Sequence, residues 1–285
     1  MFNALTRFAE DSPVVHVAPV SNFELAGFPI TNSILMGWVV SVLMIIALVL
    51  VARKVTVRPK RGFIQFVEAG VTFATDLVQN SFNDKSVGRK YVPFFVTLFF
   101  FVLINNWAGL MLGVGESLQA NGHPVFRPFT ADLNATLAIG LVTMIFVYVA
   151  SIREIGGFRK FIGHFFMGSP LNPLYLVIGL IEMITDLTRV LSLALRLFLN
   201  ITIGEIVIAV FAFLGGMLAP GDILAPIAAL PFTLLELGVG ALQAYIFVIL
   251  GVNYLAIAVN SAHTHDDLTD EVSPETMKAV GGAHA

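Results

Sequence analysis

Long apolar runs broken by short polar segments set the pattern of this chain. Ile34–Ala52, Val92–Val114 and Leu133–Ala150 are each long enough to cross about 30 Å of hydrocarbon as a helix. Two further runs, Leu174–Leu218 and Ile223–Val259, would be roughly 67 Å and 55 Å long as straight helices, about twice a perpendicular crossing. No proline interrupts the first of these, which favours a single long helix there. Pro226 and Pro231 lie near the start of the second, where proline is better tolerated or makes a kink, and Pro220-Gly221 turns the chain between the two. Between the first two spans, Phe63, Phe66, Val67, Gly70, Phe73, Ala74, Leu77 and Val78 share one helical face. Gln65, Glu68, Thr72, Asp76 and Gln79 lie opposite, so residues 63–82 read as an amphipathic helix on the membrane surface or against another subunit.

The expected fold is an all-α membrane protein with about five crossing helices and one interfacial amphipathic helix. Its last two helices form a strongly tilted antiparallel hairpin. The expected organisation is an outside tail over 1–30, peripheral transmembrane helices over 31–165, the hairpin over 166–260 and a flexible cytoplasmic tail over 261–285. Residues 1–30 lack a basic start leading into a short core and a small-residue cleavage pattern, so they read as a retained tail.

Basic residues orient this arrangement. Arg53, Lys54, Arg58, Lys60 and Arg61 follow the first span, Lys85, Arg89 and Lys90 precede the second, and Arg153, Arg159 and Lys160 follow the third. With those loops inside, only Arg7 and Arg127 lie in outside segments, which places the amino terminus outside and the carboxyl terminus in the cytoplasm.

Composition agrees with a multi-pass protein: 57% hydrophobic residues, 12% charged and a mean hydropathy of +0.86. There is no cysteine, so no disulfide, thiolate metal site or cysteine nucleophile enters the argument. No phosphate loop, HExxH or nucleophile elbow is present, and the chain is not read as an enzyme or a nucleotide binder. No repeat of the kind found in secondary transporters is visible.

Against that apolar background, Ile181–Asn200 carries two acids and two arginines. Glu182, Asp186, Arg189, Ser192, Arg196 and Asn200 fall on one helical stripe, with Leu191, Leu195, Leu197 and Leu199 expected to point elsewhere. A charge at membrane depth costs at least about 2.5–3.5 kcal/mol and marks an ion route when it faces a partner or water. With the orientation above, Glu182 and Asp186 lie on the inner side of Arg196 and Glu205 on the outer side. Glu236 sits in the outer half of the returning helix, with Gln243 one heptad deeper. Glu205 is about 180° round its helix from Arg196. Carboxylates in a wetted cleft exchange protons near neutral pH, whereas a guanidinium stays charged; an arginine therefore makes a poor carrier and a good gate.

SLALRLFLN followed by Gly204-Glu205, GALQAYIFVILGVNYLA, DLNATLA and NNWAGL, in that set of positions, resemble subunit a of the F-type rotary ATP synthase. The resemblance covers most of the chain from about Val92 to Val259. It implies two offset half-channels that carry protons to a rotating c-ring, and it implies b-type peripheral stalk subunits and membrane lipid as partners. By it, Arg196 is the arginine facing the ring carboxylate, Asn200, Glu205, Glu236 and Gln243 are channel positions, and Glu182 is the acid toward the cytoplasmic exit. The family commonly reads RLFGN; Leu199 stands here where the glycine would be. A bacterial plasma membrane is the expected location, and the choice between proton and sodium belongs to the ring.

Asp186 and Arg189 are spaced as a structural ion pair. Asp132 fits helix capping and lining of the outer channel equally well, and Asn105 and Asn106 need partners in the bundle. Asn106 and Asp132 are thus candidates for the outer lining. His263-Thr264-His265-Asp266-Asp267 has metal-ligand residue types but no supporting shell, so neither metal nor cofactor is assigned. The alternatives are a secondary transporter or cation/proton antiporter with a midplane charged site, and a scaffold or quinone-handling subunit of a respiratory complex.

Overall fold

The computed structural model describes residues 21–25, 28–54, 62–111, 119–120, 123–124, 126–157, 173–218 and 224–271. Six helices run through them: α1 (Asn32–Lys54), α2 (Phe63–Gln79), α3 (Lys85–Met111), α4 (Leu133–Glu154), α5 (Pro173–Leu218) and α6 (Leu224–Glu271). Five, all but α2, are long and apolar enough to cross a membrane, so the protein is an all-α multi-pass membrane protein. The Pro220-Gly221 turn, and with it the tail beyond Glu271, lies outside the described residues.

The long runs are single helices. α5 has 46 residues and α6 has 48. Pro226 sits in the first turn of α6, where its missing N–H has no helical acceptor to lose, and Pro231 lies inside the helix. Four juxtapositions in reverse order make the two helices antiparallel: Asn200 with Gln243, Gly204 with Glu236, Phe211 with Phe232, and Gly215 with Ala228. α3 starts at Lys85, ahead of the apolar run, and passes through Pro93; Leu112–Val114 lie outside the described residues. α2 ends at Gln79, three residues before the expected limit, where Ser81 N and Phe82 N bond back only to Val78 O and Gln79 O.

A β-hairpin precedes α1: β1 (Ser21–Leu25) pairs antiparallel with β2 (Phe28–Thr31). The pattern of residues 1–30 predicts only a tail there. A two-residue pair, β3 (Gln119–Ala120) and β4 (His123–Pro124), and a 3₁₀ turn (Phe129–Ala131) lie between α3 and α4.

The chain forms two compact units. The first takes in Met1–Ala69, Thr97–Gly140 and Leu191–Phe247; the second takes in Gly70–Val96, Leu141–Val190 and Val248–Ala285. In the first, Met36 and Val40 of α1 are buried against Ile104, Ala108 and Phe126. In the second, Phe94 stacks on Phe146 with ring centroids 3.6 Å apart, and Phe95 meets Phe146 edge-on. Gly251 there leaves room for Phe95 and Thr143, the close approach that small residues allow between membrane helices. α4 closes on Gly156 (φ 89°) and Gly157 (φ 121°), and Gly157 N bonds Ile152 O at 2.9 Å, a left-handed cap that only glycine adopts freely.

On α2 only Ala74 and Val78 of the apolar face are fully buried, while Phe66 and Phe73 are exposed. On α5, Leu197 is buried, but Leu191 and Leu199 are exposed beside Arg196. This corrects the expected separation of those two leucines from the arginine. The exposed sector is wider than one polar line, since Leu191, Ser192, Arg196, Leu199 and Ile203 are all exposed, while Leu193 and Ile201 are buried.

Candidate ion-path site

Arg196 stands on the exposed side of α5, with Leu199 one position short of a turn away and Ile203 beyond it. Among the described residues it makes no hydrogen bond or ion pair. One turn on, Asn200 Nδ2 donates to Gln243 Oε1 at 3.1 Å, so an amide pair ties α5 to α6 next to the arginine. Gln243 is only 2% exposed and its Nε2 has no hydrogen-bond partner among the described residues.

The same two helices enclose a cleft of about 200 Å³, lined by Asn200, Ile203, Gly204, Phe232, Glu236 and Val239 among others. That volume holds several waters. Glu236, 4% exposed, lines the cleft with its Oε1 lacking a hydrogen-bond partner among the described residues. Gly204 is the reason the carboxyl group fits: a Cβ at that position would overlap the Glu236 carboxyl carbon and both oxygens. Ile203 and Leu235, which also line the cleft, are exposed, so it opens on the side where Arg196 stands.

Behind the cleft, α3 supplies the polar packing. Asn106 Nδ2 donates to Gly240 O at 3.0 Å and Trp107 Nε1 to Leu237 O at 3.0 Å, fixing α3 against the turn of α6 that follows Glu236. Asn105 Nδ2 returns to Phe101 O in its own helix. The Oδ1 atoms of Asn105 and Asn106 and the Thr202 Oγ1 are buried without hydrogen-bond partners among the described residues. Such atoms are costly in a dry interior and are ordinarily met by water.

Asp132 caps α4: its Oδ1 accepts from Asn134 N at 2.9 Å. Its Oδ2 accepts from Ser33 Oγ at 2.5 Å, and Ser33 in turn lies 2.9 Å from Thr31 Oγ1 at the start of α1. Beside it, Arg127 is a residue the sequence analysis used only to count charges. It is 4% exposed, and its Nη2 donates to Ala131 O at 2.9 Å. Burial pushes its pKa below the usual guanidinium value, while Glu205 and Asp132 act in the opposite sense. Glu205 is half-buried on α5 and makes no hydrogen bond among the described residues.

In the second unit, Arg189 Nη1 pairs with Asp186 Oδ1 at 3.0 Å, and its guanidinium lies 5.0 Å from the centre of the Tyr254 ring. Tyr148 Oη donates to Asp186 Oδ2 at 2.7 Å. This cluster joins α4, α5 and α6. Glu182 lies in α5, but its side chain is outside what is described, as are those of His263, His265, Asp266 and Asp267, whose backbone continues α6. No group of three metal-ligating side chains occurs among the described residues.

The fold and site define a class: a multi-pass helical membrane protein with a buried polar seam between spans, beside which Arg196 is exposed without a partner among the described residues. The ATP synthase A chain family model matches residues 34–256, and the chain belongs to that family. It is 30% identical over 253 residues to the ATP synthase subunit a of Moorella thermoacetica, covering 88% of this chain and 100% of that one. It is 32% identical over 247 residues to the subunit a of Anaeromyxobacter dehalogenans, covering 83% of this chain and 59% of that longer relative. With the subunit a of Gluconacetobacter diazotrophicus it shares 34% identity over 232 residues, 76% of this chain and 86% of the other.

Proposed function

We propose that this protein is the stator subunit that passes protons through two offset half-channels to a rotating c-ring, with b-type stalk subunits and lipid as its other neighbours. It is a non-catalytic channel, and ATP chemistry lies on other subunits. It sits in a bacterial plasma membrane with its amino terminus outside and its carboxyl terminus in the cytoplasm. The hairpin of α5 and α6 carries the path. About 69 Å and 72 Å of helix exceed a 30 Å hydrocarbon layer more than twofold, so both helices run steeply inclined.

The observation that carries this reading is the exposed Arg196, without a partner among the described residues, one turn before Asn200, which lines the Glu236 cleft. A guanidinium in hydrocarbon without a counter-ion is expensive, so its partner carboxylate comes from another molecule. A carboxylate brought opposite Arg196 would be held ionised, give up its proton to one half-path and take another from the second. Glu205, Glu236, Gln243 and Asn106 line the outer half; Glu182 marks the inner exit. Asp132 stands at the outer end as a cap. A secondary transporter would instead enclose its midplane charge between its own helices, which this exposed side does not do.

Arg196→Ala should abolish both ion-driven synthesis and ATP-driven pumping while the complex still assembles. Lys should not restore normal coupling, because its ammonium loses its proton more readily on desolvation and lacks the planar fork. Coupled synthesis by assembled Arg196→Ala in proteoliposomes would end this reading.

A further inference from the structure

The segment Phe126–Asp132 is a connection with one 3₁₀ turn, yet it is buried or half-buried throughout. Each part is pinned. Phe126 packs on Met36 and Val40, Pro128 fills the space left by Gly109, and Phe129 sits in the notch at Gly37 with its ring 5.9 Å from Phe101. Asp132 is clasped by Ser33. What this wedge holds is Arg127, whose Nη2 is tied to Ala131 O while the guanidinium remains buried.

A chain of contacts places the wedge behind the cleft. Pro128 meets Gly109 of α3; Asn106 and Trp107, one turn back, bond Gly240 and Leu237 of α6; Glu236, just before them, packs on Gly204, next to Glu205. The charged groups acting across this region are few. Asp132 and Glu205 act on Arg127, and Arg127 and Glu236 act on Glu205. Asp132 already accepts from Ser33 and Asn134 with its two oxygens, whereas Glu205 has no hydrogen bond among the described residues.

We propose that Arg127 is a positioning residue for proton uptake: a fixed counter-cation for Glu205, held by the 126–132 wedge, that makes Glu205 pass its proton on instead of keeping it. Without the cation Glu205 would stay protonated at higher outside pH and release more slowly to the rotor. The proposal rests on the half-channel reading above and adds a residue to it.

The test is ATP synthesis by the purified complex in vesicles, measured against outside pH at constant inside pH. Arg127→Gln should lower the maximal rate several-fold and move the alkaline limb of the profile up by about one pH unit. Arg127→Lys, which keeps the charge, should leave the limb in place. The double variant Arg127→Gln/Glu205→Gln should show the profile of Glu205→Gln alone. A wedge that merely folds the protein predicts a lower rate with an unmoved limb, and that result in assembled Arg127→Gln, or the same shift in Arg127→Lys, overturns the proposal. If Arg127→Gln does not assemble, Glu205→Asp withdraws the carboxylate by one methylene and leaves the wedge intact. An upward limb shift then supports the proposal and an unmoved limb overturns it. Synthesis surviving Arg196→Ala would remove the half-channel reading itself; an unmoved limb with Arg196→Ala inactive removes only the role of Arg127.

Discussion

At the scale of single residues, the cost of holding a charge in an apolar helix governs this site. Arg196 stood out in the sequence because a charge inside an apolar helix has no inexpensive explanation, and the structure exposes it without a partner among the described residues. Glu236 and Gln243 were visible for the same reason, and their unpartnered atoms lie on the seam. Arg127 was not, because an arginine in a polar connection is ordinary until the connection is found buried. Gly204 was equally silent: its importance is the space it leaves, which no spacing rule shows. Gly204→Ala should therefore displace the Glu236 carboxyl group and lower proton-driven synthesis several-fold, and shortening the acid in Gly204→Ala/Glu236→Asp should recover part of it. No loss in the single variant would mean that the carboxyl position does not matter. Glu236→Gln should slow uptake from outside, more steeply at high outside pH, and leave rotor engagement intact. Unchanged transport across pH would make Glu236 structural.

The elements were legible where their periodicity was long. Five spans declare themselves by length alone, and the absence of proline between Leu174 and Leu218 foretold one continuous α5. The β1–β2 hairpin and the 3₁₀ turn at Phe129–Ala131 were missed because elements of three to five residues are set by tertiary neighbours more than by local pattern. The clasp of Ser33 on Asp132 belongs here: it joins the first turn of α1 to the cap of α4 across 99 residues of sequence. Asp132→Ala removes a cap worth about 1 kcal/mol and also the carboxylate that accepts from Ser33, leaving that hydroxyl only Thr31 Oγ1. Thermal inactivation of the purified complex should shift down measurably, and less for Asp132→Asn, which retains an acceptor for Asn134 N. Equal loss in both variants would show that charge, not capping, is what Asp132 supplies.

At the scale of the whole molecule, the long hairpin is informative because Arg196 stands on its exposed side among large apolar side chains. Leu191, Leu199 and Ile203 on α5 flank that arginine in the open, while Leu197 and Ile201 on the same turns are buried. Lipid would accept such leucines but not the arginine among them; a ring of helices with a carboxylate at the same depth accepts both. The chain has no cysteine, so introduced ones report without background. Leu199→Cys and Ile203→Cys should form disulfides under mild oxidation with cysteines placed on the small ring subunit near its carboxylate, whereas Leu197→Cys and Ile201→Cys should not. Leu199 is the sharper probe, since it is exposed three residues from Arg196: a leucine there brings side-chain bulk to the contact, and Leu199→Gly should loosen the ring contact or leave coupling unchanged, not block it. If neither exposed position links to the ring while both react freely with lipid-soluble maleimide, this side faces lipid, and the rotor reading of Arg196 fails with it.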